Sequence, residues 1–241
     1  MKPWIISGAA ALVLAGATGA ARAAPVDLTL TGWAQDSGNT TRVTGHRGPA
    51  GGFVGKLANA GSFDSNPFTT YCIELEESFS FSRKVMLGYQ IVAGVSYFTS
   101  RGLAAGKADR LGQLWTHVAA NTSLVDSAQE STAMQLAIWN IVYDTDNTLT
   151  ASIGAAFSDT TSNATFRDHA NSLLAGSLGV TNLYKVYALQ RNGSQDFLLT
   201  SLREGGSGAG NAVPEPASLA LSALALAALG AASRPRRAGR A

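Results

Sequence analysis

The chain predicts an α+β fold, a β-sandwich or barrel carrying a helical insertion, flanked by an N-terminal signal peptide and a C-terminal transmembrane helix. Three observations predict it. Alternating apolar and polar residues mark strands at the beginning and end of the central region. Apolar residues at helical spacing mark its middle. An uncharged apolar run stands near each end of the chain.

Lys2, the apolar run from Trp4 to Ala17 and the small residues after it form the charged, apolar and cleavage regions of a signal peptide, residues 1–23. Ala21-Arg22-Ala23 fits the small-x-small rule, and Pro25 disfavours cleavage one residue later. Residues 24–204 then form one domain.

Val26 to Trp33 alternates and predicts a strand, with Thr40 to His46 expected to pair with it. Gly48 to Gly55, with Pro49, predicts a loop entering a short strand at Phe53. Phe68 to Leu75 predicts a strand around Cys72, and the Ser/Phe alternation of Ser78 to Ser82 another. Ala104 to Ala120 sets Leu111, Leu114, Trp115 and Val118 at helical spacing. Ser127 to Asp144 is the clearest helix: Ser127 and Glu130 make a capping-box pattern. Met134, Ala137, Ile138, Ile141 and Val142 then form one apolar face. Asn163 to Ala175 predicts a third helix stopped by Gly176. Leu183 to Leu189 and Phe197 to Leu202 predict strands joined by a turn at Asn192-Gly193.

Residues 205–212 are a Gly/Ser-rich linker. Then come Val213-Pro214-Glu215-Pro216, an uncharged Ala/Leu-rich run over 217–232, and Arg234, Arg236, Arg237 and Arg240. An apolar segment followed by arginines predicts a membrane span with its tail in the cytoplasm. It is shorter than the roughly 20 residues of an ordinary span. In this order, residues 213–241 closely resemble the PEP-CTERM sorting signal. The resemblance implies a Gram-negative bacterium, transient anchoring in the inner membrane and processing by an exosortase near Pro-Glu-Pro. It also implies release to the cell surface or an exopolysaccharide matrix. A plain C-terminal anchor is the alternative.

The formal charge of +2 misleads, because six basic residues lie in the two terminal segments. Ala24 to Ala212 holds 12 basic and 15 acidic residues, a net charge of −3. That excludes the basic footprint of a nucleic-acid binder.

Cys72 is the chain's single cysteine. Exported proteins normally use cysteines in pairs, so Cys72 calls for another account. A buried thiol that merely packs is one, and an intermolecular disulfide is a second. A cysteine hydrolase is a third and needs a histidine, but His46, His117 and His169 fall in no recognisable pattern. The fourth is an internal thioester between Cys72 and Gln135. Attack of the sulfur on the uncharged carboxamide expels ammonia and stores an electrophile. Trp139 stands one helical turn from Gln135, and Tyr71 adjoins Cys72, so both are expected to shield the bond.

Tyr71-Cys72-Ile73-Glu74, followed by Met134-Gln135-Leu136-Ala137-Ile138-Trp139, resembles the thioester domains of bacterial surface adhesins. In those domains a Cys and a Gln are cross-linked between a β-rich and a helical part. The resemblance implies that Cys72 is the thiol and Gln135 the acyl donor, for covalent attachment to an amine or hydroxyl. It departs in Met134, where threonine is common, and in the absence of a stalk. Coupling to nearby polysaccharide or surface amines then fits better than host adhesion. Each molecule reacts once, so no enzyme is expected. The alternative is a non-covalent structural or carbohydrate-binding protein of an exopolysaccharide matrix, with an inert Cys72.

No cofactor is expected, and one cysteine with scattered histidines makes no zinc site. Asp144, Asp146 and Asn147 offer oxygen ligands of the kind calcium takes, but without EF-hand spacing a helix-terminating turn is the simpler role. Glu74, Glu76 and Glu77 form an acidic cluster.

Overall fold

Strand β1 (Val26–Trp33) lies at the centre of the architecture, with buried residues Val26, Leu28 and Leu30 alternating along one face. The computed structural model describes residues 24–203 apart from 64–66, 79–84, 152–156 and 162. The signal peptide, the linker, the sorting signal with its span over 217–232 and most of the predicted Ser78 to Ser82 strand lie outside the described residues. Within them, no helix is long and apolar enough to cross a membrane.

The strands are β2 (Asn39–Val43), β3 (His46–Ala50), β4 (Phe53–Ala58), β5 (Phe68–Thr70), β6 (Met86–Ala93), β7 (Tyr184–Arg191) and β8 (Ser194–Leu202). The helices are α1 (Gly94–Ser100), α2 (Gly106–Ala120), α3 (Ala128–Tyr143) and α4 (Ala164–Gly176). An antiparallel six-stranded sheet runs β5-β4-β1-β6-β7-β8, and β2-β3 form a separate pair. The first strands, then helices, then two final strands appear as the sequence predicts, and the architecture is α+β.

The sheet closes on itself through the residues after β5. Thr70 Oγ1 donates to Leu198 O (2.6 Å), Leu198 N to Tyr71 O (2.8 Å) and Ile73 N to Asp196 O (3.1 Å), with Cys72 opposite Phe197. The result is a nearly closed barrel in which two edges satisfy one another. The predicted Phe68 to Leu75 strand is thus two pieces. It pairs with β4 as far as Thr70, then changes partner to β8.

The expected pairing of Thr40 to His46 with β1 does not occur; β1 pairs with β4 and β6. Instead β2 folds back on β3 through Thr44-Gly45, both at positive φ (44° and 84°). That is the geometry of a two-residue hairpin whose twist matches its strands. The region expected to be a loop therefore begins as strand β3. Pro49, which has no N–H to give, is tolerated because β3 has β2 on one side only.

Strand β6 and helix α1 follow no pattern legible in the sequence. In β6 only Tyr89 is buried, Leu87 is exposed and Gly88 takes a positive φ of 83°. The turn between β7 and β8 forms at Asn192-Gly193, with Gly193 at φ 71°.

Helix α3 is the internal axis. Its capping box forms, with Glu130 N donating to Ser127 Oγ (3.3 Å) and Ser127 N to Glu130 Oε2 (3.1 Å). At its other end Lys107 Nζ donates to Ile141 O (2.8 Å) and Asp144 O (2.9 Å). The single apolar face read from the sequence understates its burial: every residue from Ser131 to Val142 is buried. The polar ones among them therefore need partners inside the molecule.

Candidate functional site

Cys72 uses one pair of neighbours for its position and leaves its own polar groups for another. Its flanking residues hydrogen-bond to β8, so its own N–H and C=O face away from that strand. These are the groups that Gln135 meets. Cys72 N donates to Gln135 Oε1 (2.9 Å), and Gln135 Nε2 donates to Cys72 O (2.8 Å). The carboxamide thus occupies the place of a further strand, and both residues are buried. With its two ends fixed on the backbone of one residue, the amide carbon lies over the residue that carries the sulfur.

Alternation along the extended chain sends neighbouring side chains to opposite sides. Cys72 borders a cavity of about 240 Å³, with Trp33, His46, Glu74, Glu77 and Trp139 among its lining. Tyr71 borders a different cavity of about 450 Å³ with Trp115 and Met134. Its ring meets Trp115 edge-on at 6.1 Å, and burial pushes its hydroxyl up to about 12. Of the two aromatic neighbours singled out in the sequence, Trp139 therefore shares the sulfur's cavity and Tyr71 lies behind it. Trp139 is 7% exposed, and its indole Nε1 is buried without a hydrogen-bond partner.

The thiol is not activated. Burial pushes its pKa well above the ordinary range, and the nearby Glu74 charge adds to the effect. His46 borders the same cavity, yet no hydrogen bond joins it to Cys72. His117 packs beside Gly176, and His169 has a buried Nδ1 without a partner. The pairing that a cysteine hydrolase requires is not formed among the described residues.

The three acidic side chains of the cluster make different contacts. Glu76 accepts from Tyr143 Oη (2.9 Å), and Glu77 borders the cavity. Glu74 turns inward, where its Oε1 accepts from Asp196 N (2.7 Å) and its Oε2 lies 3.1 Å from Arg101 Nη1. Arg101 Nη2 also reaches Asp196 Oδ2 (2.6 Å), which accepts from Tyr97 Oη (2.9 Å). The guanidinium stacks over the Tyr97 ring at 4.6 Å. Two buried carboxylates thus share one cation. Burial, reinforced by Asp196, raises Glu74 to about 7, and burial raises Asp196 as well. This network ties the segment after Cys72 to β8 and to the end of α1. Arg101 and Asp196 carry no sequence signal, because the contact joins residues far apart in the chain.

Asp144, Asp146 and Asn147 make a helix-terminating turn. Asp144 Oδ2 accepts from Phe157 N (3.1 Å), Asp146 Oδ1 from Thr148 N (2.8 Å) and Asn147 Oδ1 from Arg110 Nε (2.7 Å).

Among solved structures, the N-terminal domain of the Streptococcus pyogenes pilus tip adhesin Cpa is similar to this chain. The TM-score is 0.45 at 14% identity, covering 77% of this chain and 97% of that one. No curated protein matches the chain. Residues 212–237 match the PEP-CTERM protein-sorting motif, which marks an exported protein, sorted through a membrane-anchored form and processed by an exosortase in a Gram-negative bacterium.

Proposed function

We propose that this exported protein carries an internal thioester between Cys72 and Gln135 and uses it for one covalent attachment at the cell surface or in the surrounding matrix. The reading rests on one observation, the docking of the Gln135 carboxamide on the backbone of Cys72. Proximity of this kind replaces a bimolecular encounter with an intramolecular one. In the forming step the Cys72 sulfur bonds to Gln135 Cδ, the C–N bond breaks, and the thiol proton leaves with nitrogen as ammonia. In the attachment step an amine or hydroxyl bonds to Cδ, the C–S bond breaks, and the proton of the nucleophile passes to sulfur. The cavity shared by Cys72 and Trp139 is the route for that nucleophile.

The same two hydrogen bonds favour a second reading. Gln135 satisfies a buried N–H and a buried C=O, which is sufficient reason for an amide there in a non-covalent structural or carbohydrate-binding matrix protein. Intact-mass spectrometry separates the two. The thioester predicts a protein lighter than its sequence by one ammonia, a methylamine adduct, and loss of both in Cys72→Ala. A mass equal to the sequence and a freely titrating thiol leave the second reading.

A further inference from the structure

We infer that the outer face of the β2–β3 hairpin binds a polysaccharide bearing carboxylate or sulfate groups. Arg42 and Arg47 stand directly opposite one another in the hairpin register, and both are exposed. Cross-strand partners project to the same face, so two positive charges are held side by side. Such a pair is unfavourable by itself. Neither guanidinium has a hydrogen bond or an ion pair among the described residues. Asp159, opposite Val43 in the neighbouring stretch, is fully buried: its Oδ1 accepts from Thr161 N (2.9 Å) and Thr161 Oγ1, and its Oδ2 lies 4.0 Å from Arg167 Nη1.

The surroundings are polar and fixed. Residues 158–161 run alongside β2, with Thr160 N donating to Arg42 O (2.9 Å) and Arg42 N to Thr161 Oγ1 (2.9 Å). This antiparallel alignment, with Val43 opposite Asp159, sets Thr160 across from Arg42. Arg47, Arg42 and Thr160 therefore form a row across three adjacent stretches of backbone. Together with Thr40, Thr41 and Thr161 they enclose a cavity of about 310 Å³. The hairpin is anchored from below, where Asn39 Nδ2 donates to Ala128 O (3.0 Å) and Thr132 Oγ1 to Ala50 O (3.0 Å).

Paired guanidiniums match the planar, two-oxygen edge of a carboxylate or sulfate. Among the described residues the rest of the wall is threonine, and Thr40 and Thr160 are exposed there to meet sugar hydroxyls. None of the described residues in the wall is an aromatic or large aliphatic side chain that would hold the apolar residues of a peptide. The net charge of −3 over Ala24 to Ala212 makes this a local site rather than part of a general basic surface. Arg47 also borders the cavity that holds Cys72. A chain held on the outer face would thus pass beside the sulfur's opening, although its binding does not require the thioester.

The test uses the protein as recovered after export, titrated at low ionic strength with polygalacturonate, dextran sulfate, neutral dextran and polyglutamate. Binding to either acidic polysaccharide is expected, the preferred one identifying carboxylate or sulfate as the ligand group, with no binding to neutral dextran. The double variant Arg42→Gln/Arg47→Gln weakens that binding at least about tenfold. It melts no lower than the wild type, because a repulsion has been removed. Arg42→Lys/Arg47→Lys keeps the charge, loses the fork and falls between the two. The ammonia-sized mass deficit at Cys72 and Gln135 is unaffected by these variants, so the two proposals can fail separately. The site is disproved if neither acidic polysaccharide binds or if the glutamine variant binds as well as the wild type. It is equally disproved if neutral dextran or polyglutamate binds as tightly.

Discussion

The Gln135 carboxamide spans the backbone of Cys72, taking its N–H at 2.9 Å and giving to its C=O at 2.8 Å. A helix side chain thereby completes the hydrogen bonding of a residue at the seam of the barrel. The contact joins positions 63 residues apart, so it exists only in the folded chain.

Removing either partner separates the covalent from the non-covalent reading. Gln135→Ala leaves a buried N–H and C=O unpaired and is expected to cost roughly 2–4 kcal/mol. Cys72→Ala keeps both backbone bonds and deletes only a small buried group, a loss of about 1 kcal/mol. If the thioester is formed, either variant also opens a long covalent loop and costs roughly 4 kcal/mol more, by analogy with a disulfide, so that Cys72→Ala becomes strongly destabilising instead of nearly neutral. Denaturant unfolding of the two variants reads the difference.

Stability should fall as pH rises through the acid range because of Glu74. Its carboxyl is raised from 4.5 to about 7 in the folded chain, chiefly by burial. The folded state therefore binds this proton more tightly than the unfolded state. The contribution is fully present below about pH 4.5 and is lost by about pH 7. Asp196 is shifted in the same direction and adds to the trend. Glu74→Gln should flatten the stability profile across that window. Arg101→Ala, which strips two buried carboxylates of their shared cation, should cost roughly 3–5 kcal/mol at neutral pH.

Trp139→Phe tests whether the indole nitrogen is needed. Its Nε1 is buried without a partner, so the variant removes an unpaid desolvation along with some packing. A stability change within about 1 kcal/mol is expected by thermal melting. On the thioester reading the ring still covers the bond, and the mass deficit persists.

Thr44 sits at φ 44° in the hairpin turn, a region hostile to a β-branched residue. It is held there by Thr44 N donating to Ser158 O (2.9 Å), while its hydroxyl accepts from Ser158 N (3.3 Å). Thr44→Asn keeps an oxygen acceptor and suits the turn, so a gain of about 0.5–1 kcal/mol is expected in chemical unfolding.

Elements with a strong local rhythm were legible in the sequence. Helix α3 announced its start through Ser127 and Glu130 and its body through the Met134 to Val142 spacing. Strand β1 declared itself by alternation. Strand β6 did not, because its burial depends on neighbours and its rhythm is interrupted at Gly88. The partner of β2 is not legible in the sequence, because strand-forming residues do not say which strand they pair with; the turn at Thr44-Gly45 decides it. Cys72 and Gln135 were legible as residues that stood out, one as the lone cysteine and one as an amide on an apolar helix. Arg101, Asp196 and the Arg42–Arg47 pair were not, since their meaning lies in what faces them.

The sequence by itself determined the secondary structure of the strongly patterned segments, the sorting signal and the chemical types available for a reaction. These are properties of neighbours along the chain, set by backbone geometry and residue chemistry. Only the tertiary structure decided that Gln135 lies on the Cys72 backbone, that Glu74 and Asp196 share Arg101, and that two arginines are held face to face. Those relationships come from closing the barrel and burying α3 inside the molecule. Burial brings distant polar groups together and penalises those left without a partner there.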